Sequence, residues 1–134
     1  MTALPGFWAT ASQAARDAAY DNAGAVADSP ALTAARNAAG AAFRAAHPGQ
    51  LDLPFGDTAR EAWDLFPGRD PGAPCLVFFH GGYWQRNSRQ DFAHLAEGAL
   101  AMGWSVAMAG YTLAPEASLT RIGWQVHAAL DWLR

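Results

Sequence analysis

Five consecutive residues, His80-Gly81-Gly82-Tyr83-Trp84, have types and spacing that can do chemistry. They follow a continuous apolar run, Cys75-Leu76-Val77-Phe78-Phe79, and precede Ser88-Arg89-Gln90-Asp91, which has the Ser-x-x-Asp form of a helix capping box. A glycine pair at a strand-to-helix junction lets the backbone take positive φ and lets a substrate approach with no Cβ in the way. Acyl transfer needs that freedom, because backbone N–H donors must be aimed at the oxygen of a tetrahedral intermediate. A Gly-Gly turn without chemistry is the simpler alternative. A phosphate-binding turn is another, but the spacing fits neither G-x-G-x-x-G nor G-x-x-x-x-G-K-[ST], and the chain has no lysine.

The elements that must position this loop follow from hydrophobic pattern and punctuation. The Ala-rich residues 1–50 read as helical. One helix covers part of residues 7–20, and a second begins at Ser29-Pro30, carries Leu32, Ala35, Ala39 and Phe43 at helical spacing, and stops at His47-Pro48-Gly49. Gly40 weakens that second helix by roughly 1 kcal/mol relative to Ala. Residues 51–55 alternate as an edge strand that tolerates Pro54, and residues 60–66 are a second strand candidate, closed by Pro67-Gly68. The run Cys75–Phe79 has the composition of a strand buried on both faces, with Cys75 as a small core residue. A helix over residues 88–102 follows, with Phe92, Leu95, Ala96, Ala99 and Leu100 on one stripe and Gly103 as its stop. Residues 104–109 are the next strand. The last helix starts at Ser118 with Leu119, Ile122, Val126, Ala129, Leu130 and Leu133 on one face.

Strand, helix, strand, helix from residue 75 onward predicts an α/β fold with a mostly parallel sheet and crossover helices, residues 75–79 and 104–109 being adjacent and parallel. The whole chain reads as one partial domain, with residues 1–50 a helical segment and 51–134 the first strands and helices of the sheet. Its 134 residues are short for a single-domain α/β enzyme of roughly 200–250 residues. Such an incomplete sheet is expected to expose apolar strand edges and to self-associate through them.

Composition narrows the partners. The net charge is −3 and all nine basic residues are arginines scattered without a run, which argues against nucleic acid and membrane surfaces. Cys75 is the single cysteine, so no intrachain disulfide forms and a reducing cytoplasm is the expected compartment. The N-terminal residues lack a signal-peptide core, and no apolar run has the length of a membrane span.

Taken together, these motifs resemble the kynurenine formamidase (arylformamidase) group of α/β-hydrolases and its bacterial esterase relatives. The resemblance runs from about Tyr20-Asp21-Asn22 to the end and includes Leu51-Asp52-Leu53-Pro54-Phe55-Gly56, Asp64-Leu65-Phe66, the HGGYW loop, Tyr111-Thr112-Leu113-Ala114-Pro115-Glu116 and the helix over residues 122–133. HGG-x-W is its specific part, since lipase-like esterases with HGGG share the Tyr-x-Leu-Ala-Pro-Glu segment. The resemblance implies the N-terminal part of an α/β-hydrolase fold and a serine hydrolase acting on a small-molecule aryl formamide, as in conversion of N-formylkynurenine to kynurenine and formate, or on a carboxylic ester. It implies that the amides of Gly82 and Tyr83 form an oxyanion hole and that His80 and Gly81 support the loop. It implies that Trp84 packs beneath the loop or walls the acyl pocket. No metal or organic cofactor is implied.

The departure from that pattern is the missing G-x-S-x-G elbow. The serines are Ser12, Ser29, Ser88, Ser105 and Ser118, and none lies between glycines at that spacing. Nucleophile, acid and base are expected beyond Arg134, and the chain alone is expected to be inactive. A truncated fragment or interaction module is the non-catalytic alternative. His94-x-x-Glu97 has metal-ligand spacing on a helix but no partner motif, and His127 with Asp131 reads as a surface pair.

Overall fold

A computed structural model describes residues 5–47 and 49–134, which fall into two compact units divided after Ala34. In the first unit, α1 (Pro5–Thr10) and α2 (Gln13–Tyr20) take the place of the one helix expected there. Ser12 caps α2, its hydroxyl accepting from the Ala15 N–H at 3.2 Å. The rings of Trp8 and Tyr20 lie 5.3 Å apart. Helix α3 (Ser29–Ala46) begins in this unit and continues into the second. Pro48, part of its expected stop, lies outside the described residues.

The second unit holds a four-stranded sheet in the order β1-β2-β4-β3, formed by β1 (Gln50–Pro54), β2 (Ala62–Phe66), β3 (Cys75–Phe79) and β4 (Ser105–Ala109). β3 and β4 are parallel, from Cys75 opposite Ser105 to Phe79 opposite Ala109, as the alternation of elements requires. The other two pairings are antiparallel, so the sheet is mixed and its parallel part is the β3–β4 pair. Between those strands runs a 3-10 helix (Arg89–Leu95) followed by α4 (Ala96–Ala101), where one continuous α-helix was expected. Ser88 starts it as the capping pattern predicts, its N–H reaching the Asp91 carboxylate at 2.7 Å. α5 (Leu119–Trp132) completes the chain, with the Ser118 hydroxyl accepting from the Arg121 N–H.

The period-2 alternation of the strands divides the core in two. Phe66, Phe78, Val106 and Met108 pack with Phe43, Ala93, Ala96 and Ala99 on one face of the sheet. Trp63, Phe79, Ala107 and Ala109 meet Ala129 and Leu133 of the last helix on the other. β4, paired on both sides, is buried almost throughout. β3 is not. It lies at the edge, with Leu76 and Val77 more than a third exposed and Cys75 exposed rather than in the core. An apolar run records what a strand is suited to face. It does not record whether a neighbour is there, and β4 is the one strand beside it among the described residues.

Helix α3 turns inward a face that hydropathy does not mark, and α5 adds a glutamine to the apolar face that it does. In α3 the buried residues are Gly40 and Phe43, whereas Leu32, Ala35 and Ala39 are exposed. A Cβ on Gly40 would sit 2.3 Å from the Gln90 carbonyl oxygen, so this glycine is a close contact between backbones rather than a weak point. One turn to either side of it, Arg36 and Arg44 are partly buried. In α5 the buried residues are Ile122, Gln125 and Ala129, while Leu119 and Leu130 are exposed.

Arg44 and Arg89 each bridge the same two carboxylates. Their Nε atoms reach Asp64 at 2.9 and 3.0 Å, and their terminal nitrogens reach Asp52. Asp64 is fully buried on the same sheet face as Phe66 and also accepts from the Asp52 N–H at 3.0 Å. Asp52 reaches this position through a left-handed φ of 57° at an irregularity in the β1–β2 pairing. Burial works against the Arg44 charge, but the Asp64 and Asp52 carboxylates outweigh it and raise its pKa. The pairing fastens α3 and the start of the 3-10 helix to β1 and β2.

Among the described residues no helix is long and apolar enough to cross a membrane.

Candidate functional site

The HGGYW loop leaves the C-terminal end of β3, the end at which open α/β sheets bind ligands. Its backbone is unusual. Gly82 has φ 128°, and Tyr83, Trp84 and Asn87 are left-handed at 53°, 63° and 72°. A Cβ on Gly82 would lie 2.5 Å from the Arg86 carbonyl oxygen, so that position requires glycine on both counts. At Gly81 a Cβ would meet nothing within 4 Å. Residues 83–86 are exposed, with Tyr83 and Trp84 each 46% accessible.

Carbonyls are where this loop is held. The Gly81 oxygen accepts from the His80 Nδ1 and from the Asn87 side-chain amide, both at 3.0 Å. The Gly82 oxygen accepts from the N–H groups of Gln85 and Arg86, also at 3.0 Å, and the Trp84 oxygen from the Ala114 N–H at 2.8 Å. In a trans peptide the N–H points opposite to the C=O. Engaging the oxygens of Gly81 and Gly82 therefore turns the N–H groups of Gly82 and Tyr83 the other way.

His80 is 2% exposed and stacks on Tyr111 with ring centroids 4.3 Å apart. Tyr111 donates its hydroxyl proton to the His80 carbonyl at 2.5 Å, so toward Nδ1, 3.3 Å away, it can only accept. The Gly81 carbonyl is likewise an acceptor. Both contacts place the imidazole proton on Nδ1 and leave Nε2 a lone pair, buried with no partner among the described residues. Burial pushes the His80 pKa below its ordinary value; the Gly81 carbonyl and Asp91 oppose the drop, and Arg60 and Arg89 add to it. Burial raises the Tyr111 phenol, against a smaller effect of Arg60. Trp84 leans on Tyr111 at 5.6 Å between centroids while keeping nearly half its surface in solvent.

Three supporting residues carried no mark in the sequence. Arg60 donates to the carbonyls of Tyr111, at 3.0 Å, and Asn87. Gln125 clamps Thr112 through its N–H and its hydroxyl, at 2.9 and 3.0 Å. Asn87, the third, lies at a left-handed φ of 72°, which asparagine tolerates. The five serines serve structure. Ser12 and Ser118 cap helices, Ser29 opens α3, Ser88 bonds Asp91, and the Ser105 hydroxyl accepts from the Gly68 N–H. None is hydrogen-bonded to a histidine among the described residues.

The weaker constellations do not assemble. His94 is half-buried and Glu97 exposed, and no group of three or more His, Cys, Asp or Glu able to hold a metal occurs among the described residues. His127 and Asp131 are both exposed, and Asp131 pairs with Arg134 at 3.2 Å rather than with the histidine. A cleft of about 320 Å³ opens near Pro67, Pro71, Cys75 and Leu133, at the ends of β3 and β4 opposite the loop.

A parallel strand pair with its crossover, helices on both faces and a glycine loop at the strand ends defines an α/β-hydrolase scaffold. The chain is 30% identical over 82 residues to kynurenine formamidase of Danio rerio, a match covering 60% of this chain and 28% of that protein. It superposes on a crystal structure from a Silicibacter species, assigned as a thioesterase, with a TM-score of 0.79 and 33% identity over 87% of this chain and 45% of the other. Esterase B of Lactobacillus rhamnosis shares the fold, with a TM-score of 0.59 and 24% identity over 78% of this chain and 36% of that one. No protein-family model matches. The chain is thus similar to the kynurenine formamidase- and esterase-like family of α/β-hydrolases. It spans between a fifth and a third of the length of the curated relatives it matches.

Proposed function

We propose that this chain supplies the oxyanion-binding part of a serine hydrolase acting on an aryl formamide or a carboxylic ester. The observation that carries the reading is the pinning of the Gly81 and Gly82 carbonyls, which turns the N–H groups of Gly82 and Tyr83 away from those contacts. In that reaction a serine oxygen attacks the substrate carbonyl, its electrons move onto the carbonyl oxygen, and the two amides receive the resulting oxyanion. Collapse expels the amine or alcohol, and water then releases formate or another carboxylate. His80 is a brace in this reading. Its Nδ1 is committed to the loop, and the catalytic base is a different histidine. Trp84, half exposed beside Tyr111, borders the acyl group.

Similarity to kynurenine formamidases favours the formamide, and similarity to a thioesterase-assigned protein keeps acyl esters as the second substrate class. A single cysteine fits a reducing, cytoplasmic setting, and the exposed edge of β3 fits self-association of the isolated chain.

The test is enzymatic. None of the 134 residues forms a G-x-S-x-G elbow, so the chain alone is expected to hydrolyse neither N-formylkynurenine nor 4-nitrophenyl acetate above a protein blank. The 82 matched residues are 28% of the Danio rerio relative, so DNA continuing this reading frame, or a shifted one, is expected to encode a strand ending in G-x-S-x-G, then an acid and a histidine. Saturable turnover by the 134-residue chain that survives Gly82→Pro would sink the reading, because proline removes the Gly82 N–H and imposes a φ of about −65°.

A further inference from the structure

We propose that Asn87 is a positioning residue that fixes the direction of the Gly82 N–H, an assignment that rests on the oxyanion reading above. The Gly81–Gly82 peptide is a rigid plane, so whatever holds its oxygen also aims its nitrogen. Two donors hold that oxygen: His80 from the adjoining residue, and Asn87 from across the loop. The Asn87 amide also lies against the glycine, for a Cβ on Gly82 would come within 2.7 Å of its Nδ2.

The orientation of the Asn87 amide is itself determined. Arg36 donates to the Asn87 Oδ1 at 3.0 Å, and a guanidinium offers only donors, so the oxygen faces Arg36 and the NH₂ faces the Gly81 carbonyl. Arg36 is seated over the Phe92 ring, 4.5 Å from its centroid. Arg60 holds the Asn87 carbonyl and the Tyr111 carbonyl together. The path from scaffold to candidate site is therefore continuous: α3, Arg36, the Asn87 amide, the Gly81 carbonyl, the Gly82 N–H. Asparagine meets two demands here that few side chains meet together. It tolerates a φ of 72°, and it offers an acceptor on one side and a donor on the other.

Asn87→Asp isolates the proposal. Aspartate keeps the size, the tolerance of positive φ and the contact with Arg36, but it sets a carboxylate oxygen against the Gly81 oxygen and so turns the peptide. The measurement is NMR on the isotope-labelled 134-residue chain, reading the Gly82 N–H direction from residual dipolar couplings and its amide shift during titration with acetate as an oxyanion probe. In the variant the Gly82 N–H vector is expected to turn. Acetate binding read at Gly82 is expected to weaken at least tenfold, the lost N–H and the added carboxylate charge both opposing the anion, so the turned vector is the reading specific to Asn87. If the variant responds as the parent does and the vector does not turn, Asn87 has no such role while the oxyanion reading survives. If acetate leaves the Gly82 amide of the parent unmoved, the oxyanion reading falls and the assignment falls with it. Should the variant fail to fold, the parent alone decides. A scalar coupling across the hydrogen bond between Asn87 Nδ2 and the Gly81 carbonyl carbon supports the assignment, and its absence overturns it.

Discussion

The turns that leave the two parallel strands, residues 80–87 after β3 and 110–117 after β4, touch one another and are built on opposite plans. The first is exposed from residue 83 to 86 and contains three of the four left-handed non-glycine residues described. The second buries Tyr111, Thr112 and Ala117 and has no positive φ. Left-handed residues outside glycine cost of order 1 kcal/mol or more each, and an exposed loop has little packing with which to offset that. Its conformation is set by hydrogen bonds to its carbonyls, some from within the turn and some from outside it. Several come from the buried turn or its supports: the Tyr111 hydroxyl on His80, the Ala114 N–H on Trp84, and Arg60 on Asn87. One turn carries the strain, and the other carries the rigidity that maintains it.

Breaking the rigid turn should cost most. Gln125→Ala leaves the Thr112 N–H buried without an acceptor and removes the donor to its hydroxyl, and a loss of about 3 kcal/mol is expected in urea unfolding. Gly82→Ala strains the exposed turn itself. Its Cβ meets the backbone oxygen of Arg86 at a φ of 128° that alanine tolerates poorly, so a loss of about 2 kcal/mol is expected, still below that of the Gln125 variant. Tyr111→Phe cuts the link between the turns by deleting the donor to the His80 carbonyl; about 1.5 kcal/mol is expected from the same measurement, with the amide shifts of residues 81–84 disturbed in NMR spectra. A Gly82 variant more destabilised than the Gln125 variant would reverse the comparison.

The smallest effect is one of pH. Burial lowers the His80 pKa in the folded chain, so the folded form disfavours the imidazolium. Above the ordinary value of 6.5 both states are neutral and His80 adds no pH dependence. As pH falls below 6.5 the unfolded chain takes up the proton first, and stability declines until the lowered folded value is passed. Unfolding free energies from pH 8 to 5 should show this decline in the parent and lack it in His80→Gln.

Local signals made much of this arrangement readable. The strand at residues 75–79, the capping pattern at Ser88, the parallel partner expected over residues 104–109 and the helix start at Ser118 depend on neighbours in sequence, and each appears within a residue of where the residues indicate. Long-range pairing was not readable. Arg36 and Arg44 look like a solvated helix face until Asn87, Asp52 and Asp64 supply their acceptors, and Gln125 looks like a gap in an apolar stripe until Thr112 supplies two. Hydropathy ranks a side chain by itself, whereas a buried polar group is tolerated because of a partner often many tens of residues away, as Asn87 is from Arg36. The candidate loop was visible because its chemistry lies in the backbone, and glycine shows the backbone's demands directly.

Arg36, Arg44, Arg60 and Arg89 share a property that reaches beyond the site. Each joins two separate segments of the chain, with different nitrogens serving different acceptors in Arg44, Arg60 and Arg89, which the single nitrogen of lysine could not reproduce. The sequence contains no lysine at all. Its internal cross-links are therefore indifferent to acylating reagents and acetyl transfer, which act on side-chain amines, and open, at the partly exposed Arg36, Arg44 and Arg60, to dicarbonyl compounds such as phenylglyoxal or methylglyoxal, which condense with guanidinium groups. For this molecule glycation by dicarbonyls, rather than acetylation, is the covalent damage that would loosen the fold and the loop together.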